Sequence, residues 1–191
     1  MADRQVLAVC FDFGDTLVDE ASEVKDDKLT TLRAELIPGA AELLHELKRR
    51  GYRLALVADG RPGTYFNVLG HYKLDKLFDA WSISEEVGVL KPDRRMFVHA
   101  LDRLGVAPEL YGRTLMVGNR LDRDVRGANG LGMISVWIDW SPRYAKSPAD
   151  PSEQPRFRVR EPLEVLGVID ELERRGESGQ GPGYGEPTND L

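Results

Sequence analysis

Several residues of this 191-residue chain are chemically suited to holding an anion and a hard cation. Asp12 and Asp15 come directly after the apolar residues 6–11, and Asp59 comes directly after 54–58. Asn119 and Asp124 follow the apolar residues 114–118, and Lys91 stands before Pro92 and Asp93. A carboxylate can serve as a nucleophile or as an oxygen ligand to a divalent cation. A lysine beside it can neutralise both the carboxylate and a bound oxyanion. An Asp at the end of an apolar run can equally cap a turn. The elements that carry these residues decide between the two readings.

Residues 6–11 are wholly apolar and end at a Gly-containing turn, the pattern of a strand buried on both faces. Residues 54–58, 81–84, 114–118 and 134–138 read as further strands, and 156–159 as a short extended piece. Helical spacing lies between them. Pro38-Gly39 opens a helix with Ala40, Leu43, Leu44 and Leu47 on one face, and Pro62 starts one with Tyr65, Val68, Leu69 and Tyr72. Lys91-Pro92-Asp93 begins a helix carrying Met96, Phe97, Ala100, Leu101 and Leu104. Asp122-Arg123-Asp124 enters another that stops near Gly130 or Gly132. A last helix carries Leu163, Val165, Leu166, Ile169 and Leu172, while Ser84-Glu85-Glu86 reads as a local cap or turn. Alternating strands and helices of this length make right-handed βαβ units, so the fold class is a doubly wound, Rossmann-like α/β domain with a parallel sheet. Ligands bind at the carboxyl ends of such strands, where Asp12, Asp59 and Asn119 fall.

The polar residues 19–37 read as a short flap or vestigial cap, too short for a second domain. One domain is expected over residues 1–175, followed by a Gly- and Pro-rich tail, 176–191, expected to be disordered. A net charge of −6 and a pI near 5.2 argue against a nucleic-acid or anionic-membrane partner. No apolar run approaches the roughly 20 residues of a membrane span. The residues Met1-Ala2-Asp3-Arg4 lack the layout of a signal peptide, and a single cysteine forms no internal disulfide. A cytoplasmic protein is expected. His45, His71 and His99 have no metal-ligand spacing and read as structural.

The order of these residues resembles the haloacid dehalogenase-like (HAD) hydrolase superfamily from Val6 to about Glu173. The first family motif, a strand followed by Asp-x-Asp-x-Thr, corresponds to Asp12-Phe13-Gly14-Asp15-Thr16-Leu17. The second, a strand ending in Ser or Thr, corresponds to 54–57 ending in Ala58. The third corresponds to Lys91-Pro92-Asp93, and the fourth, Gly-Asp-x-x-x-x-Asp, to Gly118-Asn119 with Asp124. The resemblance implies that Asp12 attacks a phosphoryl group and forms an aspartyl-phosphate, which water then hydrolyses. It implies Mg²⁺ as cofactor, with Asp12, the Gly14 carbonyl, Asn119 and Asp124 as metal ligands, and Lys91 as the neutralising cation.

Three departures from the family pattern bear on activity. The second carboxylate of the first motif is the family's general acid/base, and Gly14 stands in its place. Asp15, one residue later, either substitutes for it or points away and stabilises the turn. Ala58 lacks the hydroxyl that would hold phosphate, which leaves the backbone near Asp59 and Gly60 to bind substrate, with Arg61 beside it. Asn119 replaces an anionic metal ligand by a neutral one. Arg120 and Arg143 either add positive potential or are solvated surface charges. The resemblance therefore implies a Mg²⁺-dependent phosphohydrolase acting on a phosphate ester or anhydride. The alternative is a weak or inactive relative that binds a phosphorylated ligand or partner. Residues 19–37 are too short and charged to enclose the apolar pocket of the superfamily's dehalogenases. A site left open in this way suits a bulky phosphate as well as a small one, or closure by a homo-oligomer. Trp137, Trp140 and Tyr144 are candidates to line it.

Overall fold

A computed structural model describes residues 4–177. Six parallel strands form one sheet: β1 (Ala8–Phe11), β4 (Arg53–Ala58), β5 (Ala80–Ile83), β6 (Thr114–Gly118), β7 (Ile134–Ile138) and β8 (Phe157–Val159). Their spatial order is β5-β4-β1-β6-β7-β8. The chain leaves β1 toward β4 and β5 and later returns to β6 on its other side. That reversal is the topological switch point at which doubly wound sheets open a crevice. The fold class read from the sequence holds.

Alternation along the strands divides the core unequally. Val9, Phe11, Leu54, Leu56, Leu115 and Val117 face helices α1 (Ala40–Arg49), α2 (Pro62–His71) and α6 (Glu164–Glu177). Ala8, Cys10, Ala55, Val57 and Met116 face the opposite layer, built from α4 (Arg94–Arg103) and α5 (Arg126–Gly130). Small residues dominate that second face, so Met96, Phe97 and Leu101 of α4 fill the space.

The excursion expected at 19–37 is an antiparallel hairpin, β2 (Val18–Lys25) and β3 (Thr31–Leu36). It packs on α2: the Thr31 amide donates to Thr64 Oγ1 at 3.0 Å, and Tyr72 Oη donates to the Ala34 carbonyl at 3.0 Å. Three local readings change. Ser84 opens a single helical turn, α3 (Ser84–Val87), because Gly88 ends it in a left-handed conformation at φ 82°. The helix expected from Asp122 is split: a wide π-helical turn, Leu121–Val125, precedes α5. Leu163 lies before α6 and is exposed, so it does not belong to the helix's buried face. Helix α6 runs into the start of the expected tail, and residues 178–191 lie outside the described residues.

Candidate active site

Asp12 continues β1 by one residue, its amide donating to the Val117 carbonyl of β6 at 2.9 Å. The carboxylate is thereby fixed at the switch point. Lys91 reaches it from the loop after α3. The lysine is 4% exposed, and its ammonium donates to Asp12 Oδ1 at 2.6 Å, Asp124 Oδ1 at 2.7 Å and the Val57 carbonyl at 2.9 Å. Burial works against the charge, but the Asp12, Asp124 and Asp59 carboxylates outweigh it and hold the amine protonated well above the ordinary lysine range. Breaking such a buried cluster typically costs about 3–5 kcal/mol.

Asp124 arrives by the π-helical turn, whose extra residue lets the amides of both Asp124 and Val125 donate to the Arg120 carbonyl at 2.9 and 3.2 Å. The Arg120 amide in turn donates to Asp124 Oδ2 at 3.0 Å. Burial pushes the Asp124 carboxyl up to about 7 against the pull of Lys91, with Asp12 adding to the rise. Gly118 is required there, since a Cβ would stand 2.3 Å from Asp124 Cγ.

Asn119 sits beside them, 5% exposed, its carbonyl accepting from Trp137 Nε1 at 3.0 Å. Its side-chain Oδ1 and Nδ2 are buried and have no hydrogen-bond partner among the described residues. An amide left so costs about 1–3 kcal/mol, which argues that the position is built for a ligand. Asp12, the Gly14 carbonyl and Asn119 Oδ1 offer hard oxygen donors of the kind Mg²⁺ takes with retained waters. Among the described residues no group of three or more His, Cys, Asp or Glu side chains is placed to hold a metal ion; the donors offered here are one carboxylate, one backbone carbonyl and one amide oxygen. Both oxygens of Asp124 are engaged by Lys91 and the Arg120 amide.

These groups open into a cleft of about 120 Å³, whose lining includes Asp12, Gly14, Asp59, Lys91, Asn119, Arg120, Arg123, Glu20 and Tyr144. The cleft is small and polar, with room for a phosphoryl-sized anion. Asp59 accepts from the Lys91 amide at 3.0 Å and from Arg123 Nη1 at 2.9 Å. Arg120 pairs with Asp122 and lies over the Tyr144 ring at 4.3 Å.

The structure thus brings Asp12, Gly14, Asp59, Lys91, Asn119 and Asp124 together and leaves other candidates outside. Asp15 is fully buried at φ 48°, turned from the cleft, and paired through both oxygens with Arg143 at 2.8 Å. Burial acts to raise its pKa, but hydrogen bonds from Arg143, Ser141 and Glu20 hold the carboxyl below the usual aspartate value. Of the two readings left open for Asp15, the structure adopts the one that stabilises the turn. Arg143 serves this pair and does not line the cleft. The Gly60 amide is taken by Ser84 Oγ at 2.8 Å, and Arg61 lies exposed near Glu85, so neither contributes to the cleft as expected. Ala58 is buried below the floor, 1% exposed. Trp137 is core and reaches the site only through its bond to Asn119, whereas Tyr144 does line the cleft.

Sequence reasoning missed Arg123, Thr64, Tyr65 and Glu20 as lining residues. The signal for Arg123 was present in its place next to the motif acid Asp124. Nothing local marks Glu20, a charged residue in a charged segment. Burial raises the Glu20 carboxyl, opposed by the Tyr144 hydrogen bond and reinforced by Asp15 and Asp12.

The sheet thus sets a buried Asp–Lys–Asp cluster at its switch point, where an α/β fold of this class binds its ligands. The family model "haloacid dehalogenase-like hydrolase" matches residues 20–132, and the chain belongs to that family. It is 36% identical over 135 residues to a glyceraldehyde 3-phosphate phosphatase of Methanopyrus kandleri, covering 71% of this chain and 57% of that protein. It is 41% identical over 134 residues to a phosphoserine phosphatase of Thermus thermophilus, covering 70% of this chain and 51% of that one. The chain therefore spans about half the length of these curated relatives. A solved HAD phosphatase from Thermococcus onnurineus superposes with a TM-score of 0.70 at 19% identity, over 86% of this chain and 98% of that structure, a likeness of fold. No helix among the described residues is long and apolar enough to cross a membrane.

Proposed function

We propose that the protein is a phosphohydrolase that transfers a phosphoryl group from an ester or anhydride to Asp12 and then to water. The observation that carries this reading is the buried Lys91 ammonium, which clamps Asp12 Oδ1 at 2.6 Å next to the unpartnered side chain of Asn119. The clamp fixes one carboxylate oxygen and leaves Oδ2, which takes no hydrogen bond from the described residues, to attack phosphorus. Lys91 also offsets repulsion between the carboxylate and an incoming phosphate. Asp124 holds Lys91 in place from behind. Arg120 and Arg123 at the cleft add positive potential toward the remaining phosphate oxygens. Asp12, the Gly14 carbonyl and Asn119 would hold Mg²⁺, which when bound supplies Lewis-acid charge on the transferring oxygens. The small cleft supports a substrate whose phosphoryl group enters while the remainder lies outside. The phosphatases among its relatives support the same class.

A second reading, phosphate binding without turnover, is favoured by Gly14 and Ala58, which lack the usual acid/base and hydroxyl. Phosphate release from p-nitrophenyl phosphate and a panel of sugar, amino-acid and nucleoside phosphates, with Mg²⁺, separates the two. The hydrolase reading expects turnover that Asp12→Asn abolishes. Equal rates from the two proteins, with vanadate still binding the wild type, would leave only the binding reading.

A further inference from the structure

We infer that Glu20, from the hairpin, is the general acid/base of this site, occupying through space the position that Gly14 vacates in sequence. This rests on the phosphohydrolase reading and adds the residue that reading lacks. A Cβ built on Gly14 would stand 2.1 Å from Glu20 Oε1, 2.7 Å from its Cγ and 2.8 Å from its Cδ. The Glu20 carboxylate therefore fills the volume into which a side chain at position 14 would grow. It lines the same cleft as Asp12, Lys91 and Asn119. A side chain at 14 and this placement of Glu20 exclude one another, which gives the glycine a reason beyond the turn.

The surroundings hold Glu20 in that place. Gly14 bridges to Val18, the first residue of β2, so the hairpin folds directly back over the nucleophile loop. The Glu20 amide donates to Asp15 Oδ1 at 3.1 Å, and Arg143 fastens Asp15 through two hydrogen bonds. Tyr144 Oη donates to Glu20 Oε2 at 2.9 Å. Oε1, the oxygen over Gly14, takes no hydrogen bond from the described residues. Other lining groups are committed elsewhere: both Asp59 oxygens are bonded, to the Lys91 amide and to Arg123, and Lys91 has three acceptors. Asp15, Arg143 and Tyr144 thus become positioning residues for Glu20.

The step balances as follows. As Asp12 Oδ2 bonds to phosphorus, the bond from phosphorus to the leaving oxygen breaks, and the Glu20 carboxyl proton passes to that oxygen, releasing an alcohol. Water then attacks the aspartyl-phosphate, its proton returns to the Glu20 carboxylate, and the bond from phosphorus to Asp12 breaks to release inorganic phosphate. General acid/base help of this kind contributes about 10²–10⁴-fold.

The test compares wild type, Asp12→Asn, Glu20→Ala and the Gly14→Asp/Glu20→Ala double variant on p-nitrophenyl phosphate and on glycerol 3-phosphate, with Mg²⁺ and with melting curves for each protein. Glu20→Ala should melt as a folded protein and lose about 10²–10⁴-fold on glycerol 3-phosphate. On p-nitrophenyl phosphate, whose leaving group needs no proton, it should keep a stoichiometric burst followed by slow turnover. The double variant should recover turnover on both substrates, because the carboxylate returns from position 14. Wild-type rates in Glu20→Ala, or a loss without the burst and without rescue by the double variant, would overturn the assignment alone. Wild-type activity equal to that of Asp12→Asn would overturn it together with the phosphohydrolase reading.

Discussion

Replacing Lys91 by methionine keeps much of the buried volume and removes the charge that holds two carboxylates together. Asp12 Oδ1 and Asp124 Oδ1 lie 2.6 and 2.7 Å from the same nitrogen. They are therefore within about 5 Å of each other, and at an effective dielectric of about 20 two unit charges at that distance repel by about 3 kcal/mol. With the cost of burying carboxylates uncompensated, the expected loss is about 3–5 kcal/mol, a large part of a domain's typical stability. Acid should relieve part of it. In the wild type burial places the Asp124 carboxyl at about 7, with Lys91 pulling it down; in the variant that pull is gone, so the carboxyl titrates higher still. A carboxyl raised above its unfolded value destabilises the fold at high pH and recovers as pH falls. The gap between wild type and variant should narrow from about pH 9 toward pH 7, by at most about 1.4 kcal/mol per unit for one proton. Urea unfolding followed by tryptophan fluorescence, in EDTA, measures it. A variant as stable as the wild type, or a gap unchanged across that range, would refute the electrostatic account of the cluster.

Other outcomes follow from the same geometry. The Asp15–Arg143 pair should show a coupling of about 1–2 kcal/mol in a double-mutant cycle with Asp15→Asn and Arg143→Met, reduced from the full value because the arginine is part-exposed; zero coupling in denaturation midpoints would remove the pair as an anchor. Asn119→Asp adds a carboxylate to the mixed donor set, and calorimetric titration should show Mg²⁺ bound about tenfold more tightly, or about 1.4 kcal/mol; an unaltered isotherm would count against Asn119 as a ligand. Cys10 is buried in β1 and burial pushes its thiol up to about 12, so Ellman's reagent at neutral pH should release no thiol from the native protein and one per chain in denaturant. Rapid native labelling would mean that β1 opens far more easily than its burial implies.

The parallel sheet was legible because buried strands leave continuous apolar runs, and 6–11, 54–58 and 114–118 each end on a polar residue that reached the crevice. Asn119 was legible for the same reason, whereas Lys91 and Asp124 lie beyond the strand ends, in the loop after α3 and in the π-helical turn, and were legible through their spacing in the family pattern. What escaped depends on directions that spacing does not carry. Whether Asp15 faces the cleft is set by its positive φ and by Arg143, far along the chain. Position 20 meets position 14 only through the register of a hairpin in a segment whose composition says no more than exposed. Arg61 and Arg123 both adjoin motif positions, yet Arg61 leads into α2 and stays exposed while the π-helical turn carries Arg123 to Asp59. The Gly60 amide was lost to Ser84, whose one-turn helix no periodicity announces.

The central claim is that Asp12, clamped by Lys91, is phosphorylated during turnover. Its most direct test is acid-quenched reaction with a phosphate ester under single-turnover conditions, followed by peptide mass analysis. The account predicts one hydroxylamine-labile phosphoryl group on the peptide containing Asp12, absent from Asp12→Asn and longer-lived in Glu20→Ala. Turnover without any such adduct in Glu20→Ala, or with the phosphoryl group on another residue, would contradict it.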